Sequence, residues 1–326
     1  MWAYVFRRIL YNIPVYLGII LLVMLALRVN DPVYQYLGKN ASQEEIHDKR
    51  KAMGLDRPFI VQYALFVGRV VTLSFDEESW DYPGFEVGEL LRDAVGPSLA
   101  ITLPALVITT LLSISVAILS AWYRGRWPDR TLMVTAVFGM SISFLAYVIL
   151  GQYFGAFELK RIMGREVFAI HGYDVNRDTT VSDYLFRVWP QYCLLPVLIN
   201  VVVAMGYDTR FYRAVMVEET GRDYITTAVA KGVGRLRLMF VHMLKNAMIP
   251  IITRVVITLP FLITGSFLLE TYFGIPGMGL RLILAVEHND FPVIQAFTAI
   301  FAGIYIASNV LTDVLYALVD PRVRLS

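Results

Sequence analysis

Six long apolar runs decide what this chain can fold into: Ile9 to Leu27, Ser98 to Ser120, Thr131 to Gly155, Trp189 to Met205, Ile249 to Leu269 and Phe291 to Leu318. At about 1.5 Å of helical rise per residue, most of them reach across the ~30 Å hydrocarbon core of a bilayer. Lipid supplies no partners for free backbone N–H and C=O groups, so such runs cross as helices. Composition agrees, with 57% hydrophobic and 17% charged residues among 326, the apolar ones gathered in blocks. The expected fold is an all-α integral membrane protein with six transmembrane helices, and its surroundings are a lipid bilayer. The fourth run is the shortest and contains Pro196, so its ends are the hardest to place. The first follows Arg7 and Arg8 as in a signal peptide, but it is longer than a usual h-region and no small-x-small cleavage site follows it. It reads as a retained anchor.

Charge in the connections sets the orientation. With the N-terminus on side one, basic residues divide equally between the two sides, so raw counts decide nothing. Density decides instead: the short connection Tyr123 to Arg130 carries Arg124, Arg126 and Arg130, and short connections follow the positive-inside rule. Both termini, and the charged segment from Glu218 to Pro250, are therefore expected in the cytoplasm. Six spans agree with that parity.

The chain divides into an anchor helix at 1–28, a small extracytoplasmic subdomain at 29–95 and a five-helix core at 96–326, which contains a cytoplasmic loop at 206–248. In the subdomain, Gly54-Leu55-Asp56-Arg57-Pro58 reads as a helix end and restart. Near the outer face, Phe273-Gly274-Ile275-Pro276-Gly277-Met278-Gly279 predicts a tight re-entrant or capping turn.

Several functions are excluded or weakened at this level. A net charge of +2 without arginine-rich, aromatic-interleaved runs argues against nucleic-acid binding. The single Cys193 rules out an internal disulfide or CxxC site and is expected to pack within the membrane. His47, His171, His242 and His288 are scattered, with no HExxH, GxSxG or Walker A pattern, so no catalytic centre, metal site or cofactor is expected in this chain. Arg254 and Asp313 are the charges inside the spans. Each lies near a span end, where a side chain reaches the headgroups, and neither sits at midspan as ion coupling usually requires.

The segment EETGRDYITTAVAKGVGRLRLMFVHMLKNAMIP, Glu218 to Pro250, stands apart. It predicts two short helices separated by glycines, with Asp223 capping the first, Gly232 ending it and Gly234 giving a second break. Tyr224, Ile225, Ala228 and Val229 form an apolar strip, and Asp223, Thr226, Thr227 and Lys231 offer polar contacts. The strip is too short and alanine-rich for firm lipid binding, so docking into a partner's groove fits it better.

With those residues in view, the chain resembles the permease subunits of ATP-binding-cassette importers of the dipeptide, oligopeptide and nickel family, specifically the first of that family's two paired permeases. Asp223-Tyr224, Thr227-Ala228, Ala230-Lys231-Gly232, His242 and Asn246-Ala247 through Pro250 carry the likeness in the loop. Beyond it the likeness includes Gly54 to Pro58 with Gln62-Tyr63, Gly139 to Ile142, Glu270 with Pro276-Gly277-Met278-Gly279, Asp290 with Pro292-Val293, and Leu318 to Arg322. Ser143 replaces the family's usual proline, Val229 its usual basic residue, and TLSFDEESW its usual glycine-aspartate turn.

The resemblance implies a type I importer permease fold in a bacterial inner membrane. It implies a homologous second permease, two cytoplasmic ATPase domains that consume ATP and Mg, and an extracytoplasmic solute-binding protein. Glu218, Glu219, Gly221, Asp223, Tyr224, Thr227, Ala228, Ala230, Lys231 and Gly232 would then couple to an ATPase, with Gly232 and Gly234 as a pivot. Glu270, Pro276, Gly277, Met278 and Gly279 would form an outer gate or binding-protein loop. The cargo stays open among peptides, nickel chelates, opines and glycosides. A self-sufficient secondary transporter, coupled through Asp313 or Arg254, is the alternative.

Overall fold

The computed structural model describes residues 2–29, 32–37, 41–175, 179–264 and 266–319. Twelve helices matter here: α1 (Trp2–Leu27), α2 (Gln43–Ala52), α3 (Phe59–Thr72), α4 (Val87–Trp122), α5 (Trp127–Ser141), α6 (Phe144–Gln152), α7 (Leu194–Glu219), α8 (Asp223–Ala230), α9 (Leu244–Thr264), α10 (Phe267–Phe273), α11 (Met278–Glu287) and α12 (Phe291–Val319). Among the described residues, five helices are long and apolar enough to cross a membrane: α1, α4, α7, α9 with its lead-in from Arg235, and α12. The pair α5 and α6, the latter continued to Met163, is apolar enough together to form a broken span or a re-entrant loop and is bent by 90° at the junction.

That bend corrects the third run, which the sequence presented as unbroken. Ile142 and Ser143 are extended, and Ser143 Oγ accepts from Ala146 N, so a capping serine restarts the helix inside the apolar run. The fourth run also shifts. A short helix ends at Cys193, and α7 continues past Met205 to Glu219. Pro196 falls in its first turn, where a missing N–H is an orphan anyway. The fifth span ends at Thr264, and Leu269 belongs to the separate helix α10.

The turn expected between 273 and 279 is present: α10 and α11 meet at 81° across it. In the segment between α1 and α4, Ser42 and Glu45 form a capping box at the start of α2, and Gly54, at φ 67°, lets the chain turn toward Pro58 and α3. This segment packs on the bundle through Phe66, Val70 and Phe75, which share a core with Met24 of α1 and Phe291 and Phe297 of α12.

Within lipid, helices associate by close packing more than by the hydrophobic effect. Accordingly α6 meets α7 at Gly151 and in the turn after it at Gly155, where Ile199 and Leu195 occupy the space a Cβ would take. One hydroxyl bonds across helices where Tyr16 of α1 donates to the Ala299 carbonyl of α12 at 2.9 Å. Cys193 is fully buried.

Candidate functional site

Helix α4 has 36 residues, roughly 54 Å at 1.5 Å per residue, and the two candidate sites lie toward its two ends. At its C-terminal end the charged insert folds back on the bundle. Arg222 is the residue that precedes α8, so Asp223 is its first helical residue and makes no side-chain cap. The carboxylate stands in the first turn, where the helix dipole favours negative charge. At the other end of α8, Gly232 N donates to Val229 O at 2.9 Å and Val233 N to Ala228 O at 3.1 Å, with Gly232 at φ 75°. This is a closed Schellman cap. Gly232 thus terminates α8 in the left-handed conformation, and Gly234 has ordinary extended backbone with open space around it.

The expected second short helix is not separate. Arg235–Arg237 passes through a π-helical turn at Leu238–Met243 into α9, because neither glycine nor proline interrupts residues 235–249. The apolar strip on α8 is corrected too. Ile225 and Ala228 are buried, and Ile225 packs in the chain's own core with Tyr212, Met216, Met239 and Met243. The solvent face of α8 and its cap carries Asp223, Thr226, Thr227, Val229, Ala230 and Lys231.

The turn before α8 is held by side chains. Glu218 pairs with Arg222 at 2.6 Å, Gly221 N donates to Glu218 O at 3.1 Å, and Tyr224 donates its hydroxyl to Glu219. Burial, and after it the Glu219 contact, pushes the Tyr224 phenol up to about 12.

Sequence reasoning missed a second layer. Asp129 is almost wholly buried and takes two bonds from Arg213, at 2.6 and 2.7 Å, with Ser120 and the Gly125 N–H completing its shell. Arg124 donates to Thr220 at 2.9 Å, and Arg235 donates to the Trp122 carbonyl at 2.6 Å while lying over the Trp122 ring. The arginine-rich connection read only for topology therefore braces the insert. An aspartate among three arginines was the available signal.

Toward the N-terminal end of α4, Ser98 Oγ donates to Glu270 Oε1 at 2.7 Å and accepts from Met278 N at 2.8 Å. Leu280 N donates to Glu270 Oε2 at 2.9 Å. Glu270 is 0% exposed, Gly277, Met278 and Gly279 are buried, and Pro276 is half-buried. A Cβ on Gly277 would lie 2.4 Å from Glu270 Cδ. As a surface for a binding protein this group is corrected: four of its five residues face inward, because a buried carboxylate needs the donors the turn supplies.

Between the two ends lies a cavity of about 760 Å³, lined by Thr109, Asn200, Asp208, Thr258, Phe267 and Leu282 among others. Asp208 is the one charged residue among those described around it. Arg254, expected to reach for headgroups, instead meets Asp208 Oδ1 through Nε at 3.2 Å. The Asp313 side chain lies outside the described residues. No cluster of three metal-ligating side chains occurs among the described residues.

A multi-pass helical bundle with a half-open cavity and a braced helical insert at one end has the build of a membrane transport subunit. Residues 111–325 match the family of binding-protein-dependent transport system inner membrane components, residues 1–110 match that component's N-terminal family, and the chain belongs to this family. It is 29% identical to a probable peptide ABC transporter permease of Sinorhizobium fredii, covering 99% of this chain and 100% of the relative. The dipeptide transport system permease protein DppB of Alkalihalophilus pseudofirmus is 30% identical, again over 99% and 100%. The glutathione transport system permease protein GsiC of Salmonella choleraesuis is 32% identical over 99% of each chain. The chain is a multi-pass inner-membrane permease of a binding-protein-dependent ABC transport system, a non-catalytic subunit. Nothing in that membership favours the self-sufficient carrier.

Proposed function

We propose that this chain forms half of the translocation pathway of an importer for peptides or similar small solutes. A homologous second permease forms the other half, an extracytoplasmic binding protein delivers the solute, and two cytoplasmic ATPase domains consume ATP and Mg. This chain binds neither. The peptide class is supported by the relatives, whose names give peptide, dipeptide and glutathione transport over nearly full-length matches.

Both termini and the insert are cytoplasmic in this reading, as the arginine density of Tyr123 to Arg130 implies. The ATPase grips the polar face of α8, and the observation that carries this is the burial of Ile225 and Ala228 behind it. A helix glued to its own bundle by one face transmits a push applied to the other. Glu218, Glu219, Gly221 and Tyr224 hold the preceding turn, Asp223, Thr227, Ala230 and Lys231 meet the ATPase, and Ala228 and Gly232 anchor and end the helix. Glu270, Pro276, Gly277, Met278 and Gly279 brace the outer gate from within.

Reconstitution tests the reading. The four-component assembly in proteoliposomes should accumulate a peptide only with ATP and binding protein, and this chain alone should hydrolyse no ATP. Gradient-driven uptake by the chain alone would refute it.

A further inference from the structure

Two ion pairs on α7 are built differently. Arg213 grips Asp129 through two donors, with Ser120 and Gly125 adding to the shell. Arg254 reaches Asp208 through Nε alone, at 3.2 Å, and the Arg254 side chain is 41% exposed. A forked, multiply bonded pair resists separation, whereas a single contact to a half-exposed guanidinium parts more readily.

The loose pair is also placed where parting would matter. Asp208 lines the cavity, and its wall also includes Phe267 and Gly279 of the α10–α11 turn. Arg254 lies on α9, which runs without a break back to Arg235. Met239, Met243, Ala247 and Ile251 along that helix share one core with Ile225 of α8 and with Tyr212 and Met216 of α7. Tyr212 is one turn from Asp208, and Ile251 one turn from Arg254. A displacement of α8 thus reaches both members of the pair through packed helices that deform little.

We propose that Asp208 and Arg254 are gating residues: their ion pair closes the cavity on the insert side and parts when α8 is driven. The assignment rests on the permease reading above. Paired, the two charges neutralise each other and tie α7 to α9. Parted, each takes up water, and the floor becomes a polar opening toward the insert side.

The test uses the whole four-component assembly in a C193A background, so that D208C/R254C can be joined by a short bis-methanethiosulfonate cross-linker, which forms a reducible disulfide with each thiol and releases methanesulfinate. Cross-linking should abolish ATP-driven uptake, and reduction should restore it. D208N and R254Q should each raise solute-independent ATP hydrolysis by at least about 5-fold, the lower end of ordinary coupling between sites. The charge swap D208R/R254D should bring it back toward the original rate. A cross-linked assembly that transports at the unlinked rate overturns the gate. So do D208N and R254Q if they only lower assembly yield and leave ATP consumed per solute unchanged. If the unmodified assembly takes up nothing with ATP, the permease reading itself falls.

Discussion

Ser98 and Glu270 meet at 2.7 Å across 172 positions of sequence, and the Met278 N–H closes on the same serine oxygen at 2.8 Å. One hydroxyl thereby ties α4 to both arms of the α10–α11 turn. Gly277 and Gly279 are glycines where the carboxylate occupies the space beside them, and Gly274 sits at φ 65° against the His171 ring. What looks from sequence like an exposed loop is a buried polar knot.

Glu270→Ala leaves Ser98 and the Leu280 N–H without their carboxylate partner, each worth about 1–3 kcal/mol when buried. The variant should lose several degrees in apparent thermal midpoint in detergent, and Glu270→Gln, which keeps an acceptor oxygen, should lose less. Gly277→Ala should resemble the more severe variant, since its Cβ would lie 2.5 Å from Ser98 Oγ. Equal stability of all three with the unmodified protein would contradict the knot.

Arg213 and Asp129 supply the second prediction. Breaking a buried pair by removing one partner typically costs about 3–5 kcal/mol, because a desolvated charge is left behind. Asp129→Ala should therefore depress folding yield and thermal stability sharply. Arg213→Lys should rescue only in part, since an ammonium does not reproduce the two-donor fork. Matching yields for Arg213→Lys and the unmodified chain would show that the fork is unimportant.

The spans and the insert were legible because lipid imposes long apolar runs, and because a charged stretch between two such runs cannot itself cross the hydrocarbon core. Breaks within runs were less so. The bend at Ser143 depends on one side chain capping a helix inside apolar surroundings, a choice that periodicity does not register. Direction was also hidden at α8: Ile225 and Ala228 were visible as an apolar strip, but only the fold shows that the strip faces Met239 and Tyr212 of its own chain. The Asp208–Arg254 pair escaped because α7 extends farther than its apolar run.

Tyr224 gives a pH expectation. Its phenol is raised to about 12 by burial and then by Glu219, so folding favours the protonated form. The contribution is fully present below the ordinary tyrosine value near 10 and is lost as pH rises from about 10 to 12. Tyr224→Phe should remove one hydrogen bond, about 0.5–1.5 kcal/mol, and flatten stability across that alkaline window. An unchanged alkaline profile in the variant would refute the assignment.

The two faces of α8 should separate cleanly under substitution. Ile225→Asp places a charge in the core formed with Met216 and Met243 and should destabilise the chain itself, lowering its yield even when expressed without ATPases. Thr227→Arg and Ala230→Trp change only exposed positions, so the purified permease pair should keep its thermal midpoint within about 1 °C, as expected for surface changes worth under ~0.5 kcal/mol. Those two should nevertheless weaken co-purification with the ATPases and lower uptake per ATP. Gly232→Val, forced into a left-handed conformation at φ 75°, should join them by distorting the end of the gripped helix, while Gly234→Ala should behave as unmodified. Should Thr227→Arg and Ala230→Trp bind and couple normally while Ile225→Asp alone fails, the polar face is not where the ATPase takes hold.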